Sequence, residues 1–351
     1  MNTIDKIIER IKPLDAKAME QASQRQDRLT KPRGSLGRLE ELSIQVAGIT
    51  AEPIPRFNHK AILTMAADHG VTAQGISLYP AEVTRQMVLN FLEGGAAINV
   101  LSRMIGARVI IVDMGVRGEL PAADGITCRP IAPGTRDMST GPAMTHQQAL
   151  DCLLAGIEIV EKEIKNGLDI LGTGDMGIGN TTSASAITAV ITGQPVPEVT
   201  GRGTGIDDAQ LAHKIKIIER SLAINRPDAT DAIGVLAKVG GFEIGGLAGA
   251  MLAAAANHIP VVIDGFISGA AALIAAGICP QAGDYMIASH LSAEKGHAAC
   301  LRHLKLEPIL KLNLRLGEGT GAALGIFLAE SSVNLLREMA TFSEAGVSDI
   351  Q

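Results

Sequence analysis

Residues 168–185 constrain the fold of this chain more than any other stretch. They begin with a short apolar run, 168–171, that predicts a buried strand, and four glycines follow within eight residues. Asn180 and Thr181 then lead into an Ala-rich helical pattern at 184–192. Backbone N–H groups in a glycine loop and at a helix N-terminus favour bound anions. This order of strand, loop and helix therefore predicts a site for a phosphate or a carboxylate.

The same glycines allow two other interpretations. Gly172, Gly174 and Gly177 match the G-x-G-x-x-G spacing of dinucleotide-binding loops. That motif also requires an acid about 20 residues on, at the end of a second strand. Glu198 has this spacing but follows two prolines rather than an apolar run. A tight turn without any ligand is the second alternative, and we favour the anion site because Asn-Thr-Thr directly follows the glycines.

Composition narrows the class of protein. The 351 residues are 46% hydrophobic, which is enough for one large α/β domain or two smaller ones. A net charge of −6 and an aromatic content of 2% argue against nucleic-acid binding. The four cysteines are widely spaced, so we expect reduced core thiols of a cytoplasmic protein rather than a disulfide framework or a zinc site.

Short apolar runs alternate with helical patterns along most of the chain, which predicts an α/β fold with a doubly wound, mainly parallel sheet. The uncharged region 244–263 is long enough to cross a membrane, but polar residues and a proline interrupt it. We expect a small-residue helix there, closely packed within or between subunits, followed by a turn and a strand. Residues 117–143 predict a long loop. The strand-like runs are 61–66, 109–112, 168–171, 261–263 and 285–288.

Residues 2–50 predict helices, with Asp15 capping the second and Ser35 the third. Lys31, Arg33 and Arg38 surround the turn between them. We expect these three cations to form a solvated basic loop rather than a ligand contact.

Charged residues also follow strands and glycines elsewhere in the chain. Asp68 and His69 end the first strand and could be a pair of metal ligands. No further ligands have supporting spacing, so we favour a structural histidine held by hydrogen bonds. Lys214 can fold back toward an anion at the head of its helix or be solvated. Glu318 lies between Gly317 and Gly319 and faces either a ligand or the dipole of the following helix.

Taken together, several stretches resemble one family, the nicotinate-nucleotide–dimethylbenzimidazole phosphoribosyltransferases of cobalamin lower-ligand assembly. The resemblance covers essentially the whole chain, in order. The stretches are residues 31–40, 67–70, 174–182, 238–242, 264–266, 292–296 and 315–323.

The resemblance implies a Rossmann-like sheet in a large catalytic domain, residues 56–319, and a small helical domain, residues 1–55 with 320–351. It also implies a homodimer. From the residues themselves we expect a cytoplasmic protein with no metal, no cofactor and no nucleic-acid or membrane partner. The implied reaction transfers the 5-phosphoribosyl group of nicotinate mononucleotide to 5,6-dimethylbenzimidazole, with inversion at C1′. Its products are α-ribazole 5′-phosphate and nicotinate.

The resemblance also implies roles for individual residues. Glu318 matches the family's catalytic carboxylate, and Tyr79, Gln86 and Leu316 fall at its base pocket. We expect Glu at position 175 and Pro at position 33, where this chain has Asp175 and Arg33. The residues that match nucleotide and phosphate contacts are Gly174, Asp175, Gly177, Asn180, Thr181, Gly203, Lys214, Asp264 and Ser292.

Two other functions fit the residues alone. The first is a dinucleotide-dependent oxidoreductase that uses the glycines at 172–177. The second is a non-catalytic module that binds a nucleotide without turning it over.

Overall fold

A six-stranded sheet forms the centre of the computed structural model, which describes residues 3–120 and 125–348. The strands are all parallel and lie in the order β3-β2-β1-β4-β5-β6. The chain moves outward from β1 to β3 and then returns to the other side of β1, so the order reverses between β1 and β4. Open α/β sheets bind ligands at the carboxyl ends of strands at such a reversal. The strands are β1 (Lys60–Ala67), β2 (Ala107–Gly115), β3 (Ile126–Cys128), β4 (Ile170–Met176), β5 (Val261–Ile263) and β6 (Met286–Ala288).

Helices cover both faces of the sheet. Short 3₁₀-helices span Gly70–Gln74 and Pro280–Tyr285. The α-helices are α1 (Thr3–Arg10), α2 (Ala16–Gln26), α3 (Arg38–Thr50), α4 (Glu82–Leu92), α5 (Ala97–Ile105), α6 (His146–Lys165), α7 (Asn180–Thr192), α8 (Val196–Val199), α9 (Asp208–Asn225), α10 (Ala232–Val239), α11 (Phe242–Ala256), α12 (Phe266–Ile278), α13 (His297–Leu304), α14 (Thr320–Glu338) and α15 (Phe342–Ala345).

The predicted parallel sheet is confirmed, and so is the close packing of the small-residue helix. Every residue of α11 is buried, and the helix packs against α6 of the same chain. A Cβ at Gly156 would collide with the carbonyl oxygen of Gly246, and one at Gly249 with that of Leu153. Glycine at these positions lets the two helix backbones approach closely. Within the part of the chain that is described, no helix is long and apolar enough to cross a membrane.

Two sequence predictions were wrong in detail. The predicted loop at 117–143 contains β3, a short edge strand with half-exposed residues and no apolar run; residues 121–124 of that loop lie outside the described part. The prediction of core thiols was wrong for Cys128, which is exposed at the end of β3. Cys152, Cys279 and Cys300 are buried, and all four cysteines are free thiols.

The helices near the two chain ends partly pack together. Ala22 of α2, Ala47 of α3 and Leu336 of α14 share one small apolar cluster. By contrast, α1 packs against α11 and α6. The division into residues 1–55 with 320–351 and residues 56–319 stays a prediction, and residues 1–2 and 349–351 lie outside the described part.

The turn before α3 differs from the prediction. Asp15 caps α2 as predicted, accepting a hydrogen bond from the Ala18 N–H at 2.8 Å. Ser35 does not cap α3, because that helix begins only at Arg38, after Gly37. Lys31 is not solvated: it is buried and its Nζ lies 2.7 Å from Glu40 Oε1. Arg33 is exposed, as expected for the loop.

Candidate functional site

A cavity of about 570 Å³ lies at the carboxyl ends of the strands, beside the glycine loop that joins β4 to α7. It is therefore at the position where this sheet topology places ligands. A recess of about 60 Å³ and a second cavity of about 450 Å³ adjoin it, and all three share Glu294 and Arg315. The residues that line the main cavity are Ile76, Ser77, Tyr79, Val83, Met87, Asp175, Met176, Gly177, Ile178, Gly179, Asn180, Thr181, Gly203, Thr204, Glu294, Arg315, Leu316 and Glu318.

The backbone of Glu318 is fixed in an unusual conformation by its neighbours. Its φ of 64° is in the left-handed region, between Gly317 at 85° and Gly319 at 98°. The Thr64 hydroxyl of β1 donates to the Glu318 carbonyl at 2.9 Å, and the Glu318 N–H donates to the Asp175 carbonyl at 3.1 Å. Non-glycine residues in this region are strained and cluster at functional sites. The turn therefore holds the Glu318 carboxylate at the cavity through a strained backbone conformation.

Two predicted site residues, Gly174 and Asp264, contact the Glu318 turn without lining the cavity. Gly174 has no Cβ, and one placed there would collide with the Glu318 carbonyl. Asp264, at the end of β5, is fully buried and accepts hydrogen bonds from the N–H groups of Gly319 at 3.1 Å, Gly321 at 2.6 Å and Ala322 at 3.1 Å. Burial raises the pKa of Asp264 to about 7 against the effect of these donors. Neither residue lines the cavity, and both position the Glu318 turn.

The carboxylates at the cavity are buried and incompletely hydrogen-bonded. Glu318 is 5% exposed, its Oε2 accepts no hydrogen bond, and burial raises its pKa. Asp175 accepts a bond from Asn180 Nδ2 at 2.9 Å on Oδ2, while its Oδ1 has no partner. Burial, followed by the charges of Asp264 and Glu243, raises the pKa of Asp175 well above its usual value. Perturbed acids in a cleft are typical of catalytic sites.

A buried cation contacts Thr181, one of the residues that line the cavity, but does not itself line it. Lys214 on α9 is 1% exposed, and its Nζ donates to the Thr181 hydroxyl at 2.7 Å in the first turn of α7. Burial lowers the pKa of Lys214 to about 8, although the charge of Glu294 opposes this. Gly203 leaves open space here, since a Cβ would come within 3.3 Å of Nζ. The ammonium and the helix N-terminus together form an anion-binding end.

Tyr79 and Leu316 line the cavity and are more than half exposed, at 55% and 57%. Gln86 on α4 is exposed and does not line it. Val83 and Met87 of the same helix do, and their spacing of four residues is a signal that could have identified this face.

Ser292 lines the small recess rather than the main cavity. Glu294 and Arg315 line the main cavity without having been predicted as site residues, although both lie in stretches that carry the family resemblance.

His69 is a hydrogen-bonded structural histidine, which confirms the favoured interpretation. Its Nε2 lies 2.7 Å from Glu243 Oε1 and its Nδ1 lies 3.1 Å from Ser183 Oγ, and all three residues are buried. Across residues 3–120 and 125–348, no cluster of three or more His, Cys, Asp or Glu side chains could hold a metal ion.

The dinucleotide interpretation loses the acid that it requires. Glu198 does not end a strand but lies in the short helix α8, where it pairs with Lys295 at 3.4 Å. No ribose-binding carboxylate therefore follows β4 at the spacing of a dinucleotide site.

Comparisons with known proteins agree with the fold and the cavity. A family model described as phosphoribosyltransferase matches residues 11–347. The chain therefore belongs to a family of phosphoribosyltransferases. Similar proteins in Desulforudis audaxviator and Chloroflexus aurantiacus are 58% identical over 348 and 349 residues, covering 99% of each chain. Both carry the name nicotinate-nucleotide–dimethylbenzimidazole phosphoribosyltransferase.

A crystal structure of the enzyme of that name from Thermus thermophilus superposes with a TM-score of 0.91 at 44% identity. The superposition covers 96% of this chain and 100% of the Thermus thermophilus chain. The family that the sequence motifs resembled is thus confirmed: this chain is a member of the nicotinate-nucleotide–dimethylbenzimidazole phosphoribosyltransferases.

Proposed function

We propose that this enzyme transfers the 5-phosphoribosyl group of nicotinate mononucleotide to 5,6-dimethylbenzimidazole. The observation that carries the proposal is the buried Glu318 carboxylate in the cavity wall, with its Oε2 unpartnered, together with the buried Lys214 ammonium that donates to Thr181 of the same wall. Two relatives that match this chain over 99% of their length carry the name of this reaction. A phosphate at Lys214 and Thr181 would place the ribose between the anion-binding end and the carboxylate.

The bond changes follow from the chemistry of the two bases. One nitrogen of dimethylbenzimidazole forms a bond to C1′ while the bond from C1′ to the nicotinate nitrogen breaks, and the electron pair leaves with nicotinate. Attack opposite the departing base inverts C1′ and gives the α-riboside. The other benzimidazole nitrogen loses its proton to the Glu318 carboxylate. General-base help of this kind contributes typically ~10²–10⁴-fold in rate.

Holding the phosphate also fixes the ribose for attack. The N–H groups at the start of α7 and the Lys214 ammonium are rigidly placed before any ligand arrives. Orientation of this kind converts a bimolecular encounter into an effectively unimolecular step. The apolar side chains of Val83, Met87 and Leu316 offer flat contact to the aromatic base.

We further propose that the enzyme is a homodimer in the cytoplasm. Leu78, Tyr79 and Leu316 are large, more than half exposed and close to the cavity, which favours cover by a second subunit. The buried free thiols of Cys152 and Cys300 suit a reducing compartment.

Product chromatography tests the reaction. The purified protein is incubated with nicotinate mononucleotide and dimethylbenzimidazole, with and without a chelator. We expect nicotinate and α-ribazole 5′-phosphate in equal amounts in both samples. Nicotinate without the riboside would show hydrolysis rather than transfer. No cleavage at all, with retained nucleotide binding, would support a non-catalytic module instead.

A further inference from the structure

Glu294 is a buried carboxylate that the proposed reaction leaves without a role. It is 8% exposed, and it lines the main cavity and both adjoining cavities. Its Oε2 is buried and accepts no hydrogen bond. Gly201 makes room for it, because a Cβ at that position would collide with Oε2. A buried acceptor without a donor costs stability, so its retention at a cavity points to a ligand that supplies the donor.

The loop that carries Glu294 is held rigidly. The Glu294 N–H donates to Ser292 Oγ at 3.2 Å, and the Glu294 carbonyl accepts from the His297 N–H at 3.0 Å. The Ser292 N–H donates to His297 Nδ1 at 2.9 Å, which requires an unprotonated ring nitrogen. Burial and the nearby His290 lower the pKa of His297 to about 3, so the ring is neutral. The carboxylate is therefore placed in the site before any ligand binds.

Charge decides which part of the nucleotide Glu294 can meet. Lys214 donates to Thr181, so its ammonium does not occupy the free Oε2. An ionised carboxylate accepts hydrogen bonds and donates none, and it repels a phosphate. In nicotinate mononucleotide the phosphate and the nicotinate carboxylate are both anionic. The only donors that remain are the 2′- and 3′-hydroxyls of the ribose.

We propose that Glu294 accepts a hydrogen bond from a ribose hydroxyl and makes the site selective for ribonucleotides over deoxyribonucleotides. This inference rests on the proposed function, because it assigns a subsite for the same donor substrate. A site built to hydrogen-bond a hydroxyl discriminates strongly against the analogue that lacks it.

The test compares three substrates with four proteins. The substrates are nicotinate mononucleotide and its 2′-deoxy and 3′-deoxy analogues, and the proteins are wild type, Glu294→Ala, Glu294→Asp and the control Glu198→Ala. We expect Glu294→Ala, which removes the acceptor, to lower kcat/KM roughly 10- to 100-fold for the ribonucleotide. For the analogue that lacks the contacted hydroxyl, we expect a change below about threefold. Selectivity for the hydroxyl therefore collapses in this variant.

Glu198 is a matched control because it is exposed and pairs with Lys295 of the same loop. We expect Glu198→Ala to retain wild-type selectivity. Equal losses with all three substrates in Glu294→Ala would overturn the inference, since they would indicate an effect through Lys214. If Glu294→Ala does not fold, Glu294→Asp decides, because it keeps the charge but moves the carboxylate oxygens away from the hydroxyl; unchanged selectivity there would also overturn the inference.

Wild-type turnover separates this inference from the proposed function. If wild type releases no nicotinate, the proposed reaction fails. Calorimetric binding of the same three nucleotides then still measures whether Glu294 recognises the hydroxyl. Equal affinities of wild type for the ribonucleotide and both deoxy analogues would contradict the inference by itself.

Discussion

Two groups of buried polar side chains meet at the glycine loop, and they differ in what their carboxylates face. The support group is His69, Ser183 and Glu243, in which both histidine nitrogens have partners within 3.1 Å and Glu243 faces the imidazole through Oε1, while its Oε2 accepts no hydrogen bond. The cavity group is Asp175, Lys214 and Glu318; its two carboxylates line the cavity, each with one oxygen without a partner, and its ammonium donates to Thr181 of the cavity wall. Gly177 touches both, since it lines the cavity and a Cβ there would lie 3.4 Å from the His69 ring.

The difference indicates two uses of a buried charge. A buried carboxylate paired with a hydrogen-bonded neighbour fixes the structure, because removal of either partner leaves the other unsatisfied. An unpaired carboxylate that faces a cavity destabilises the fold and is available to a ligand. The support group should therefore control stability, and the cavity group should control turnover and affinity.

The largest expected effect is on turnover. We expect Glu318→Gln to lower kcat by about 10²–10⁴-fold, because glutamine cannot accept the benzimidazole proton. The KM for nicotinate mononucleotide should change little. Since burial raises the pKa of Glu318, wild-type kcat should rise with pH through that raised pKa as the carboxylate ionises, and the variant should lose this rise. Steady-state kinetics across pH measures both effects.

Glu82→Gln is the matched control for that experiment. Glu82 is exposed at the start of α4, the helix whose Val83 and Met87 line the cavity. We expect wild-type kinetics from it. Near-wild-type turnover of Glu318→Gln across the pH range would remove Glu318 as the base and would mean that the cavity group does not control turnover.

The next effect is on nucleotide affinity. We expect Lys214→Met to raise the KM for nicotinate mononucleotide roughly 10- to 150-fold, since a charge-assisted hydrogen bond contributes about 1.5–3 kcal/mol. Burial lowers the pKa of Lys214 to about 8, so wild-type kcat/KM should fall above pH 8 as the ammonium loses its proton. Lys216→Met, at an exposed position on the same helix, should leave both properties unchanged. A persistent alkaline fall in Lys214→Met would assign that titration to another group.

The support group should show its effect in stability. We expect Glu243→Ala to lower the free energy of unfolding by about 1–3 kcal/mol, because His69 Nε2 is left buried without a partner. Glu243→Gln should retain most of the stability, since its amide oxygen can still accept the bond. Urea denaturation measures the change.

For Glu318→Gln we expect the opposite change in stability from that of Glu243→Ala. Above its raised pKa, the ionised Glu318 costs folding free energy, so removal of the charge should stabilise the protein by up to about 2 kcal/mol. If Glu243→Ala lowered kcat as much as Glu318→Gln without any loss of stability, the two groups would not differ in the way described.

Much of the fold could be predicted because buried parallel strands are short, continuous apolar runs. The runs at 61–66 and 109–112 mark β1 and β2 within the sheet. The edge strand β3 is half-exposed and has no such run, so no periodic signal reveals it. The burial of Lys31 depends on Glu40, nine residues away across a turn, and sequence spacing does not indicate that contact.

The sequence could predict the site residues that lie in glycine turns. It was less informative for residues whose access to the cavity depends on tertiary packing. Glu318 and the glycine loop after β4 do line one cavity. Gln86 and Asp264 do not, because one faces solvent on α4 and the other binds the start of α14. Glu294 reaches the cavity from a separate loop, and only the three-dimensional structure shows that its carboxylate is buried without a partner.

The smallest expected effect concerns Asp175, where the family resemblance implies Glu. A Cβ at Gly317 would lie 3.2 Å from Asp175 Oδ2, so the turn before Glu318 packs closely against this shorter acid. Asp175→Glu would lengthen the side chain and disturb its 2.9 Å bond from Asn180. We expect the KM for dimethylbenzimidazole to change by about two- to fivefold, which corresponds to about 0.5–1 kcal/mol. Turnover should stay within about twofold, because the Glu318 turn keeps its other anchors.

Asp175→Asn separates the length of this side chain from its charge. It keeps the size of Asp175 and removes a charge that burial and Asp264 penalise, so we expect a more stable protein with a KM close to that of wild type. Kinetics and urea denaturation of both variants measure these effects. A fall in kcat of tenfold or more in Asp175→Asn, about 1.4 kcal/mol or more in activation free energy, would mean that its carboxylate takes part in proton transfer. Asp175 and Glu318 would then act as a coupled pair in the cavity rather than as a base and its neighbour.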